Sequence, residues 1–134
     1  MKTRECAPRE ALRRLSAACK FLEAAELYVG DEDPAGQRVA VSNAVLAGIA
    51  ATDAICCARL GRHAVGDDHR AAVDLGGTIG PEEREAAKAL TVLLSIKHKA
   101  QCQTSAVAKA DATRAVRRAQ SLIAAAERLV LSST

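Results

Sequence analysis

Apolar residues recur at three- and four-residue steps through most of the chain, and nowhere do they alternate long enough to predict a strand of useful length. From about 8 to 29, Leu12, Leu15, Cys19, Leu22 and Val29 make one stripe, widened by Ala18, Phe21, Ala25 and Tyr28. Pro8 suits the first turn of that helix, and Gly30 with "DEDP" ends it. A second helix is predicted from about 34 to 61, opened by Asp33 as N-cap before Pro34 and stopped by Gly61. Between Val39 and Ala58 its only charged residue is Asp53. A helix without a polar face must be surrounded by other helices, so 39–58 is expected to be the most buried segment. "HAVGDD" connects to a short third helix at about 68–75, capped by Asp67 and stopped by Gly76–Gly77. Pro81, Glu82 and Glu83 open a fourth helix that runs to about Ala100, the two acids suiting its positive start. A fifth, from about 106–110 to 131, carries the stripe Ala115/Val116, Ala119, Leu122/Ile123, Ala126, Leu129/Val130. Its other face holds Arg114, Arg117, Arg118 and Arg128. Four longer helices and a short one predict an all-α antiparallel bundle, a single domain over residues 1–134.

Composition sharpens this. Of 134 residues 49 % are hydrophobic but only 1 % aromatic, so the core must be built from Ala, Leu, Val and Ile, which favours closely packed helices over sheet. A net charge of +3 is too weak to assert nucleic-acid binding by itself. The five cysteines, Cys6, Cys19, Cys56, Cys57 and Cys102, form no C-x-x-C pair. Adjacent Cys56 and Cys57 point about 100° apart on a helix and cannot face one metal. All five are expected to be small buried thiols in a reducing compartment, and a cytoplasmic location is expected with them, since "MKTRECAPREALRRL" lacks an apolar signal core. Residues 39–58 are long enough to span a bilayer, but Asp53 near their middle argues for a buried core helix and against a membrane partner.

Several residues invite a chemical reading. "RHAVGDDHR" separates Arg62 from His69 by six residues, the spacing of the Arg–His pair in certain small helical ribonucleases, but the turn "VGDD" puts them in different elements. A solvated connector is the plainer reading. His63 and His69 with Asp67 or Asp68 match no zinc spacing, so no metal and no cofactor is expected. In "SIKHKAQCQ" the stripe Ala86, Leu90, Leu93/Leu94 lands next on Lys97 and then on Gln101, which is either a fraying helix end with a snorkelling lysine or a polar cleft. Asp53, in the most apolar helix, needs a cation, and Lys97, Arg59 or an arginine of the fifth helix can supply one. A direct Asp53–Lys97 pair across the core is the specific expectation. Arg114, Arg117 and Arg118 can meet phosphates, but with no interleaved aromatics a solvated face is the bland alternative.

Over roughly 38–130 the chain resembles the HEPN-domain proteins, small helical domains of prokaryotic toxin–antitoxin and nucleotidyltransferase-associated systems. The resemblance rests on "SNAVLAGIAATDAICCARLGRHAVGDDHRAAVDL", on "LLSIKHKAQCQ", and on the last helix "ADATRAVRRAQSLIAAAERLV". It is a pattern over most of the chain, especially that of short actinobacterial members, rather than one diagnostic motif. Active members carry Arg–x(4–6)–His near the last long helix, and the corresponding window here reads "KHKAQC", with Lys97 at the Arg position and Gln101 or Cys102 at the His position. Glutamine cannot exchange a proton near neutral pH and a cysteine would need an activated thiolate. The resemblance therefore implies a homodimer that binds a nucleic acid, a nucleotide or a partner protein, such as a nucleotidyltransferase or antitoxin in a toxin–antitoxin or defence setting, without cutting RNA. Two alternatives stand beside it. One is a divergent metal-independent endoribonuclease using His98 or His69, with Arg62 a weaker candidate. The other is a purely structural or interaction protein.

Overall fold

The computed structural model describes residues 1–102 and 108–132, with 101 and 102 by backbone alone. Its elements in chain order are β1 (Thr3–Glu5), α1 (Pro8–Tyr28), α2 (Pro34–Leu60), β2 (Arg62–Ala64), α3 (Arg70–Gly77), α4 (Pro81–Cys102) and α5 (Lys109–Leu131). This is the expected all-α bundle of four longer helices and one short one, with a minimal sheet added. The punctuation is local and works as the sequence predicts. The Asp33 carboxylate accepts from the Ala35 amide at 2.9 Å, Pro34 fills the first helical position, and Gly61 closes α2 in the left-handed region at φ 69°.

α2 is the axle. It packs against α1, α5 and α4, and α4 packs on both α5 and α3. Fifteen of its residues are buried, from Gly36 to Cys57. It is also the one helix among the described residues long and apolar enough to cross a membrane, yet 67 % of its most apolar window is covered by the rest of the fold. Small residues allow the close approach: Ala40, Ala44, Ala47, Ala51 and Ala54 are fully enclosed. At Gly48 a Cβ would lie 2.5 Å from Leu93 Cδ1, so a side chain there must displace Leu93 of α4, whereas Leu122 Cδ2 and Leu90 Cδ1, at 3.4 Å, would be in ordinary contact. Leu90, Leu93, Leu122 and Leu129 fill the space between.

Four local expectations are corrected. First, α3 begins at Arg70; Asp68, not Asp67, accepts from the Arg70 amide at 3.0 Å, and the helix runs through Gly76 and Gly77 instead of stopping at them. Second, the connector after Gly61 is not simply solvated. Arg62–Ala64 pairs antiparallel with Thr3–Glu5, in register Arg4 opposite His63, and His63 is buried. Three-residue strands are too short for any alternation to announce them. Third, the apolar stripe of α4 continues through Leu93 to buried Ile96, so Lys97 lies half-buried at the edge of the stripe rather than within it. Fourth, the cysteines are not all free. Cys6 and Cys57 form a disulfide, Cα–Cα 5.6 Å, while Cys19 and Cys56 are free thiols. The β1–β2 ladder, with the Cys6 amide donating to Gly61 O at 2.9 Å, brings the N-terminal segment over the end of α2, and no spacing rule reveals that proximity.

Candidate functional site

Asp53 shows how the bundle places a charge. It is buried, and its Oδ2 lies 3.4 Å from Arg14 Nη1, reached from α1. Arg14 Nη2 is 3.0 Å from His63 Nε2, and His63 Nδ1 is 2.9 Å from Ala64 O. A carbonyl only accepts, so Nδ1 carries the proton and Nε2 accepts from the guanidinium. Burial pushes the Asp53 carboxyl up to about 6, against the opposing pull of the Arg14 guanidinium. Asp53 Oδ1 and Arg14 Nε are left without hydrogen-bond partners. One helical turn on, Cys56 is pushed up to about 12 by burial and by the Asp53 carboxylate, which keeps it a protonated, inert thiol.

The expected Asp53–Lys97 pair is therefore overturned. Arg14 of α1 takes the carboxylate, and Lys97 lines a separate cavity. Arg59, the second candidate, pairs with Glu83 at 3.6 Å. Arg14 was legible in principle: it lies between Ala11, Leu15 and Ala18 on the buried stripe of α1, as Lys97 lies beside that of α4.

What the fold does bring together is centred on His69, which lines three adjoining cavities at the start of α3. The first, about 300 Å³, runs along α2 from Arg38 past Val41, Ser42, Val45 and Leu46 to Ile49, walled by Lys97 and Ala100 of α4. At 1.5 Å per residue its floor extends about 16 Å. The second, about 320 Å³, holds Asp53, His63, Asp68 and Arg4. The third, about 710 Å³, places His98 with His69, Asp68, Arg70 and Asp74. Of the sequence candidates, Asp53, Lys97, His69 and His98 thus share one region. Arg38 and Arg4 join them unannounced, since a surface arginine carries no local signal.

The remaining candidates lie elsewhere. Arg62 borders a different depression with Cys6, Gly61 and Leu60, so Arg62 and His69 do not form a pair. Arg114, Arg117 and Arg118 line a shallow surface on α5 and do not belong to the cleft. Gln101 and Cys102 close α4 by backbone, and their side chains lie outside the described residues. Among the described residues no group of three His, Cys, Asp or Glu side chains is arranged to hold a metal. Compared with protein-family models, curated proteins and solved structures, the chain matches none.

Proposed function

We propose that this is a HEPN-like binding protein whose groove between α2 and α4 takes a nucleoside phosphate, free or at the end of a strand, and holds it without cutting a bond. One observation carries the reading. Every titratable group lining the first cavity, Arg38, His69 and Lys97, is a cation or can become one, and the floor between them is apolar except for Ser42. Among the described residues neither Arg38 nor Lys97 is engaged in an ion pair. A ligand with a phosphate for the two cations and a flat, weakly polar body for Val45, Leu46 and Ile49 satisfies both halves, and a 300 Å³ cavity is at the lower end of small-ligand sites. Calorimetry with nucleoside 5′-monophosphates tests it. Lys97→Ala and Arg38→Ala should each weaken binding about tenfold or more, the cost of one charge-assisted hydrogen bond. No binding by the wild type, or binding indifferent to both changes, refutes it.

A second reading draws on the third cavity, where His69 and His98 face one space. Two imidazoles can serve as base and acid in metal-independent RNA cleavage. Cleavage by the purified protein, lost in both His69→Ala and His98→Ala, would establish that reading in place of simple binding. A homodimer, a partner antitoxin or nucleotidyltransferase, and a cytoplasmic setting belong to the first reading; light scattering at micromolar concentration checks the dimer. Disulfides persist outside the reducing cytosol, so the Cys6–Cys57 bridge and a cytoplasmic setting pull in opposite directions. The thiol state of the protein taken directly from cells decides between them.

A further inference from the structure

One strongly charged surface has no counterpart within the fold. Arg114, Arg117 and Arg118 stand exposed on α5 around a shallow depression of about 580 Å³ whose other lining residues are Ala110, Thr113 and Ser121. Charged groups nearby are engaged. Lys109 binds Glu32 at 2.6 Å, Asp111 holds Lys99 at 3.2 Å, and Arg128 reaches Glu82 at 3.8 Å. Among the described residues the three arginines have no such partner. Arg114 precedes the other two by three and four residues, so all three share a face and repel one another. The only carboxylate within a helical turn of them on α5 is Asp111, already held by Lys99. A helix that keeps three like charges together, uncompensated, is shaped for an anion from outside.

We propose that this face binds the phosphodiester backbone of a single-stranded nucleic acid without preference for its bases. Guanidinium forks match phosphate oxygens in a bidentate geometry. Ala110, Thr113 and Ser121 are small enough for a strand to lie close to the helix, and Ser121 adds a hydroxyl. Guanidinium planes stack on any base alike, and the chain's two aromatic residues, Phe21 and Tyr28, are both on α1, so the bases are not told apart. A lipid surface would call for apolar anchors beside the charges. The lining of the depression itself contains no large apolar residue. The surface is distinct from the α2–α4 groove and does not depend on what that groove holds.

The test is fluorescence anisotropy with labelled 20-nucleotide oligo(A) and oligo(U) lacking terminal phosphates, so that the groove has no strand end to hold, titrated from 50 to 200 mM salt. Three phosphate contacts imply a slope of log affinity against log salt of about −2, a loss of about twentyfold across that range. Both oligomers should bind within about threefold of each other. Replacing all three arginines with glutamine (R114Q/R117Q/R118Q) should lower affinity at 50 mM about tenfold or more and remove about 2 from the slope. The triple lysine variant should recover part of the loss. Circular dichroism and the thermal midpoint should be unchanged, because the side chains are exposed. Calorimetry with a nucleoside monophosphate reports the groove separately and should not respond to the triple change. Absence of strand binding at 50 mM salt overturns the proposal. So does strand binding that survives the triple glutamine variant, or a capture of anionic vesicles or an acidic peptide as tight as that of the oligomers.

Discussion

Opening the Cys6–Cys57 bridge should destabilise the protein far more than the loss of a three-residue ladder suggests. The bridge closes a loop with a sequence separation of 51 residues, covering all of α1 and most of α2. In the chain-entropy account such a cross-link restricts the unfolded ensemble by about 4 kcal/mol. That is a large share of the 5–15 kcal/mol that keeps a typical domain folded. With a urea m-value of about 2 kcal/mol/M, the midpoint should fall by about 2 M on reduction. Three samples carry the test: the wild type with reductant, the wild type without it, and Cys6→Ala/Cys57→Ala without it. Alkylation of the unfolded, unreduced protein counts thiols, and two more should become reactive after reduction. Cys6 is half-buried, so a small reductant can reach it, and Cys19→Ala serves as the control. Because β1 carries Arg4 toward the second cavity, reduction should also raise amide exchange in 2–6 and 62–65 before global unfolding. An unchanged midpoint, together with an unchanged thiol count, would refute the reasoning.

Other outcomes can be checked in the same unfolding experiments. Asp53 is raised from 3.8 to about 6, so between those values the folded state binds a proton that the unfolded state has released. Stability should fall as pH rises from about 4 to about 6 and then level off, by an amount on the order of 3 kcal/mol. Asp53→Asn should flatten that dependence, and a wild-type midpoint constant across the window would count against the burial argument. Arg14→Met should cost about 1–3 kcal/mol above pH 6, where it strands the carboxylate, and less at pH 4, with Asp53→Asn/Arg14→Met losing less than the sum of the single changes. Equal losses at both pH values would remove the pair from the account. At Gly48, alanine gains about 1 kcal/mol of helix propensity but must push Leu93 in a full core, a strain of about 1–3 kcal/mol, so a net loss of about 1 kcal/mol is expected by urea unfolding. A stabilised Gly48→Ala would show that α4 can yield there.

Within the site, legibility followed the range of the interaction. Lys97 is legible because the steps Ala86, Leu90, Leu93/Leu94 lead to it; the run turns to Ile96 instead, and Lys97 lines the groove from the edge of the stripe. Asp53, the one charge in an apolar segment, is legible and is buried, but its cation comes from α1 and not from α2, α4 or α5. His63 belongs by sequence to a connector, whereas the pairing of Arg62–Ala64 with residues 3–5 buries it beside Arg14. Arg38 and Arg4 gave no signal, since an arginine on an exposed helical turn or a short strand looks the same whether or not a cavity adjoins it.

The existence of the helices, the ends of α2, the start of α4 and the burial of α2 were determined by the sequence itself. Asp33–Pro34, Gly61 and Pro81 act on backbone groups a few residues away, and a segment with one charge in twenty residues has no face to show to water. Which residues meet was decided only by the tertiary structure. The Arg14–Asp53 pair spans 39 positions, the Cys6–Cys57 bridge 51, and the convergence on His69 joins α2, α3 and α4. An apolar stripe specifies that a face is covered but not by which neighbour. In an alanine-rich bundle, where several faces are nearly interchangeable, the neighbours are set by packing the whole, down to the approach that Gly48 allows.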